Sequence, residues 1–340
     1  MSIHNTSGDS ISPAELNAAR NRISSLILHT PLVPSPAISE RAGVAVHLKL
    51  ECFQRTGSFK ARGALSKVSS LTPEQRQAGL ICASSGNHGL GVAYASACFR
   101  TRCVVVLPED VNPHKFALLQ KLGAELIKFG IASDVRQEKV EELSRKHGYT
   151  QVHPFSDPVL IAGQATVGLE VLEDLPDVGE VYVPIGGGGL ISGIALAIKT
   201  RRPGTRIYGV EPVHSNAMSE ALRHRRPVVL PEVRTMADGL AAATTEDLNF
   251  SIVHRYVDDV LLVSEDAIRD AMLFLLEKAN VLVEPSGAAS LAGLFMNTKK
   301  MGPSVAILSG GNITLQQLDK HRGLDPSQNT SIGEGRSRPA

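Results

Sequence analysis

Short apolar runs rich in β-branched residues punctuate the chain: "VAVHLKL", "GLICAS", "RCVVVL", "AELIKF", "EVYVPI", "TRIYGV", "DDVLLV" and "SVAILS". Between them lie longer stretches with helical spacing of apolar positions. Strands alternating with helices predict parallel sheets built from strand-helix units, an α/β fold. The first helix has a legible start in "SPAELNAARNRISSLI". Ser12 is placed to cap it, Pro13 takes the first helical position and Glu15 completes a reciprocal capping box. Residues 1–11 and 321–340 are polar, turn-rich and aperiodic, and read as flexible tails.

Three strand-to-helix turns carry candidate chemistry. In "EVYVPIGGGGLISGIALAIK" four consecutive glycines separate a buried-looking strand from an amphipathic helix. Such a turn lets backbone N–H groups close around an anion that the helix dipole also favours, so a phosphate is expected there. The dinucleotide fingerprint G-x-G-x-x-G/A fails in both registers, ending on Ile191 or on Ser192, and no GK[ST] follows. Glu211 closes the next strand where a ribose-binding acid could lie, which leaves a nicotinamide oxidoreductase open as an alternative. The second turn, in "ASSGNHGLGVAYA", offers Ser84, Ser85 and Asn87 as helix caps and carboxylate donors. In the third, "AILSGGN", Ser309 emerges from a strand beside Gly310 and Gly311.

"TGSFKARGA" starts a helix with Lys60 and Arg62, although the positive end of the helix dipole repels cations. That end, together with burial, favours a neutral lysine, the form that builds a Schiff base. The turns and the lysine together describe a ligand with a phosphate, a carboxylate and a group that reacts with a primary amine.

Composition narrows the partners. The chain has 340 residues, enough for about two domains. Its formal charge of +1, without long Lys/Arg runs, argues against nucleic acid or a membrane surface. No signal core and no membrane-length apolar run are present, so the expected location is cytoplasmic. Cys52, Cys82, Cys98 and Cys103 lack metal-ligand spacing and read as reduced packing residues.

"GSFKARGA", "SSGNHGLGVAYA", "GGGGLISG", "ADGLA", "VEPSGAAS" and "SGGN" follow the order and spacing of the fold-type II pyridoxal-phosphate enzymes. Over residues 12–318 the chain resembles their serine/threonine dehydratase and serine racemase branch. The resemblance implies a tryptophan synthase β-like architecture of two open, twisted, mostly parallel sheets with the cofactor in the cleft between two domains. Residues 12–52 and 154–320 would form the large domain and 53–153 the small, mobile one, in a homodimer or homotetramer. It implies that Lys60 holds pyridoxal 5′-phosphate as a Schiff base, that Gly186, Gly187, Gly188, Gly189 and Leu190 bind its phosphate, and that Asn87 meets the ring oxygen. Ser309 would face the pyridine nitrogen and Phe59 would line the ring. Ser84, Ser85, Gly86 and His88 would surround the substrate carboxylate, with Lys60 and Ser85 as the catalytic pair, and Asp238 and Gly239 would close the far side.

The implied reaction is loss of water from a hydroxy amino acid, giving a 2-oxo acid and ammonia. Ser309 favours elimination over a long-lived carbanion, because a hydroxyl stabilises the protonated ring less than an acid does. Phe155 stands where the racemases tend to have Asn. Racemase-like relatives hold a divalent cation between a glutamate and an aspartate; here Glu211 is kept, but Asn216 and Ala217 occupy the second position, so no metal requirement is expected. Serine, threonine, 3-hydroxyaspartate and hydroxyectoine-derived substrates all remain open, as do racemisation and a non-catalytic sensor on the same fold.

Overall fold

The computed structural model describes residues 11–323 apart from residues 85, 112 and 132. A six-stranded sheet has the order β1 (Leu32–Pro34), β2 (Val46–Lys49), β10 (Ser304–Ile307), β7 (Glu180–Pro184), β8 (Arg206–Pro212), β9 (Asp259–Val263). A four-stranded sheet has the order β5 (Glu125–Lys128), β4 (Cys103–Leu107), β3 (Leu80–Ala83), β6 (Thr150–Gln151). Every pairing is parallel except β1 with β2. All the runs read as strands from the sequence are strands. β1 and β6 were not anticipated, being too short to show a period.

The helices are α1 (Pro13–Ile23), α2 (Pro36–Ala42), α3 (Lys60–Ser69), α4 (Pro73–Ala78), α5 (Asn87–Cys98), α6 (Pro113–Lys121) and α7 (Ser133–His147). Then follow α8 (Pro158–Asp174), α9 (Gly189–Lys199), α10 (Ala217–His224), α11 (Asp247–Tyr256), α12 (Glu265–Ala279), α13 (Pro285–Met296) and α14 (Leu315–His321). The Ser12–Glu15 capping box of α1 forms as expected.

β4 and β7 are buried at every residue, because helices cover both faces of each parallel sheet. One apolar cluster joins β3 and β4 to α3 and α5, and two others cover opposite faces of the larger sheet. Two boundaries differ from the sequence reading. Ile11 is buried against α1 and α8, and α14 runs to His321, so the expected tails begin further out; their remainder lies outside the described residues. Cys98 is exposed on α5 and is not a packing residue, whereas the other three cysteines are buried. No helix among the described residues is long and apolar enough to cross a membrane.

Candidate active site

The three turns lie beyond the carboxyl ends of β3, β7 and β10, the edge at which open α/β sheets receive ligands. Lys60 opens α3, whose first turn contains no acid and no side-chain cap. Its Nζ donates to the Pro154 carbonyl (2.6 Å) and lies 5.2 Å from the centre of the Phe59 ring. Burial pulls its pKa from 10.5 down to about 8.

The residue after Pro154 reaches the glycine turn. A Cβ on Gly187 would fall 2.3 Å from the Phe155 ring, and one on Gly189 would fall 2.8 Å from the Phe155 carbonyl oxygen. Gly188 has φ +97°, a left-handed conformation that a side chain would strain. The glycines thus leave a cradle at the start of α9, where the first-turn N–H groups have no partner within the helix. Leu190 is buried in the core behind it.

The remaining predicted residues are stitched to this centre. The Phe59 N–H donates to the Ser309 carbonyl (3.1 Å), and Ser309 Oγ donates to the Ser286 carbonyl (3.3 Å). Ser286 Oγ accepts from the Gly239 N–H (2.9 Å), and the Gly239 carbonyl borders Gly186. Asp238, exposed, pairs with Lys115 of α6 at 3.4 Å.

Asn87 is held by two residues that the sequence reading left unassigned. Its Nδ2 donates to Glu284 Oε1 (2.5 Å), and its Oδ1 accepts from Asn312 (2.7 Å), which also donates to the Thr56 carbonyl (2.8 Å). Both lie in the motifs "VEPSGAAS" and "SGGN", but nothing local marks them as partners of Asn87. Burial pushes the Glu284 carboxyl up to about 7.

Neither Ser84 nor Asn87 caps α5 as expected. Gly86 is its N-cap and supplies no side-chain bond; Ser84 Oγ accepts from the Gly86 N–H (3.2 Å), and Asn87 is engaged elsewhere. Ser85 lies outside the described residues. The His88 ring turns to the Val152 carbonyl (2.9 Å), and burial pushes its pKa down to about 3, so it is neutral. What His88 can offer a carboxylate is its backbone N–H in the uncapped first turn of α5.

Glu211 stands apart from these residues. Fully buried, it accepts the N–H groups of Met218 and Ser219 (2.9 Å each) and so caps α10, which has no side-chain cap of its own. Each of its two oxygens thus already accepts one backbone N–H. Among the described residues no group of three or more His, Cys, Asp or Glu could hold a metal ion.

An amine whose pKa is lowered without a nearby carboxylate, a glycine cradle that a Cβ would fill and an uncapped helix start fit a phosphate-bearing carbonyl cofactor. Comparison with known proteins agrees. Residues 23–310 match the family described as pyridoxal-phosphate dependent enzyme. The chain is 41% identical to an L-threonine ammonia-lyase of Thermotoga maritima, covering 90% of this chain and 77% of the relative. It is 36% identical to an L-threo-3-hydroxyaspartate ammonia-lyase of Saccharomyces cerevisiae, covering 88% and 92%. The structure of maize serine racemase superposes with a TM-score of 0.88 at 33% identity, covering 92% and 97%. The nicotinamide alternative is thereby set aside: this chain belongs to the pyridoxal-phosphate dependent enzymes.

Proposed function

We propose that the chain is an ammonia-lyase that removes water from small β-hydroxy amino acids of the L-threonine and L-serine type. The observation that carries this reading is the Lys60 amine, drawn down to about 8 by burial and set between the glycine cradle and α5. Pyridoxal phosphate, when bound, supplies the electron sink that acidifies the substrate Cα. Gly186 to Leu190 would hold its phosphate, Phe59 would line its ring, and Ser309 would meet the pyridine nitrogen. Asn87 donates one Nδ2 hydrogen to Glu284, and the other would serve the ring oxygen.

The N-terminal turn of α5, with Ser84, Ser85, Gly86 and His88, would bind the substrate carboxylate, and Asp238 and Gly239 would close the opposite side. Neutral Lys60 takes the Cα proton, and the β-hydroxyl leaves with a proton as water. The released enamine takes up one water and expels ammonia, so the net change is amino acid to 2-oxo acid plus ammonia.

At the mouth of the site Asp238 already neutralises Lys115, and the Glu284 carboxyl lies on the same small pocket. Among the described residues Lys115 is the lysine or arginine on that pocket, and its pairing with Asp238 makes a second substrate carboxylate less welcome there, which favours threonine and serine over 3-hydroxyaspartate. The test is 2-oxo acid and ammonia release from L-threonine, L-serine and L-threo-3-hydroxyaspartate, with chiral analysis for D-serine. Threonine is expected to turn over fastest. Racemisation without ammonia, or no turnover across the panel, defeats the proposal.

Residues 53–153, which carry the four-stranded sheet, would be the mobile domain. Four unpaired thiols suit a reducing, cytoplasmic setting. Exposed Phe53, Leu282 and Leu315 offer apolar surface for a dimer or tetramer contact.

The lowered Lys60 pKa also has a signature in stability. Between pH 8 and 10.5 the folded cofactor-free protein keeps this amine neutral while the unfolded chain protonates it. The unfolded state then binds more protons, so stability rises with pH across that window. Below it the folded state bears the full cost of a buried ammonium. Lys60→Met is therefore expected to be more stable than the cofactor-free parent at about pH 7, with the gap closing by about pH 10.5. Urea midpoints at the two pH values check it; a pH-independent gap refutes the shift.

A further inference from the structure

Arg62, one helical half-turn beyond Lys60, is completely buried and takes no part in the chemistry above. Its Nε and Nη2 donate to Glu51 (2.7 and 2.8 Å), and its Nη1 and Nη2 donate to Glu170 (2.6 and 2.8 Å). Nη1 also reaches Thr166 Oγ1 (3.0 Å), and Nη2 reaches the Leu28 carbonyl (3.2 Å). Glu170 is shared with buried Lys49 (2.6 Å), so two cations balance two carboxylates. Glu51 and Lys49 adjoin β2, and Glu170 lies on α8; all three belong to the body of the six-stranded sheet.

The backbone of the same turn is gripped as closely. A Cβ on Gly91 of α5 would lie 2.9 Å from the Lys60 carbonyl oxygen, and one on Gly163 of α8 would lie 2.6 Å from the Arg62 carbonyl oxygen. Filling space does not require ions here, since well-packed apolar residues stabilise a buried site as well as or better than an ion cluster. A doubly bidentate fork adds direction, fixing both the distance and the rotation of the helix turn that carries it. Its two carboxylates also stand near the positive end of α3, which lacks a cap.

We propose that Arg62 is a positioning residue for Lys60: it locks the first turn of α3 to the body of the six-stranded sheet, keeping the amine in register with the glycine cradle. The proposal rests on Lys60 being the cofactor lysine, which borohydride reduction of the wild-type holoenzyme and peptide mapping test separately.

The variant is Arg62→Lys, which keeps the charge and loses the fork. Four quantities are read: the rate at which added pyridoxal phosphate attaches to the cofactor-free protein, the pH midpoint of the bound cofactor's absorption, kcat and KM for L-threonine, and the thermal midpoint. Attachment and kcat are expected to fall about tenfold or more, with KM changed less than about threefold and the absorption midpoint displaced. A lower thermal midpoint with wild-type attachment, absorption and kcat overturns the proposal, because that is what a purely structural cluster gives. Should Arg62→Lys fail to fold, Glu51→Gln, which keeps a hydrogen-bond acceptor and removes one charge, is read by the same four measurements.

Discussion

Replacing Lys60 by Ala is expected to leave the protein folded while elimination from L-threonine falls by at least about 10³-fold. The two halves of that statement have separate causes. Lys60 donates to the Pro154 carbonyl, and among the described residues no carboxylate pairs with it, so its removal orphans no buried charge there. The lost activity follows because one amine serves both as the cofactor's attachment point and as the base at Cα. Ammonia release and circular dichroism measured on the same preparation give the comparison. Activity within about tenfold of wild type would assign the proton transfer to another group.

Glu170→Ala is expected to have the opposite profile, a large loss of stability. Arg62 would then keep the Glu51 carboxylate, while buried Lys49 would be left with Asp174 at 3.7 Å. Removing one partner of a buried cluster costs about 3–5 kcal/mol, because the remaining charges are left uncompensated. For a chain of this size that corresponds to a drop in thermal midpoint of about 4–7 °C. The same helix supplies a control. Glu173 pairs with Arg20 at the surface, both about two-fifths exposed, and Glu173→Ala should cost no more than about 1 kcal/mol. Equal losses from the two variants would mean that the buried cluster is worth no more than a surface pair.

Much of the site was legible because its chemistry sits where strands turn into helices. Gly186 to Gly189, Ser309 and Lys60 advertise themselves through residue type at a turn, and a turn is a local event. The partners that hold the site carry no such mark. Glu170, Glu284 and Asn312 act across long stretches of chain, and an ion pair or amide bond between distant segments leaves no period to read. Arg62 shows the difference most clearly. A cation at a helix start looked like an electrostatic fault, and only the fold reveals the two acids opposite it. Local rules also misled at α5, where Ser84 and Asn87 have the composition of caps but are spent on Gly86, Glu284 and Asn312. Glu211 misled as a ribose acid, since an acid at a strand end reads alike whether it meets a ribose or the start of α10.

In the six-stranded sheet β2, near the start of the chain, pairs with β10, near its end, and β10 sits between β2 and β7. On the ribosome, then, β1 and β2 emerge with no neighbour on their inner side and wait for almost the whole protein to be made. The four-stranded sheet is under no such delay, since its strands span only residues 80–151 and can pair as soon as that stretch is free. Synthesis therefore sets an order: the smaller sheet closes first, and the larger one is completed last, when β10 enters between β2 and β7. A chain that stops early loses the keystone of the larger sheet rather than its rim, and exposes β2 and β7 as two bare edges ready to pair with a neighbouring chain.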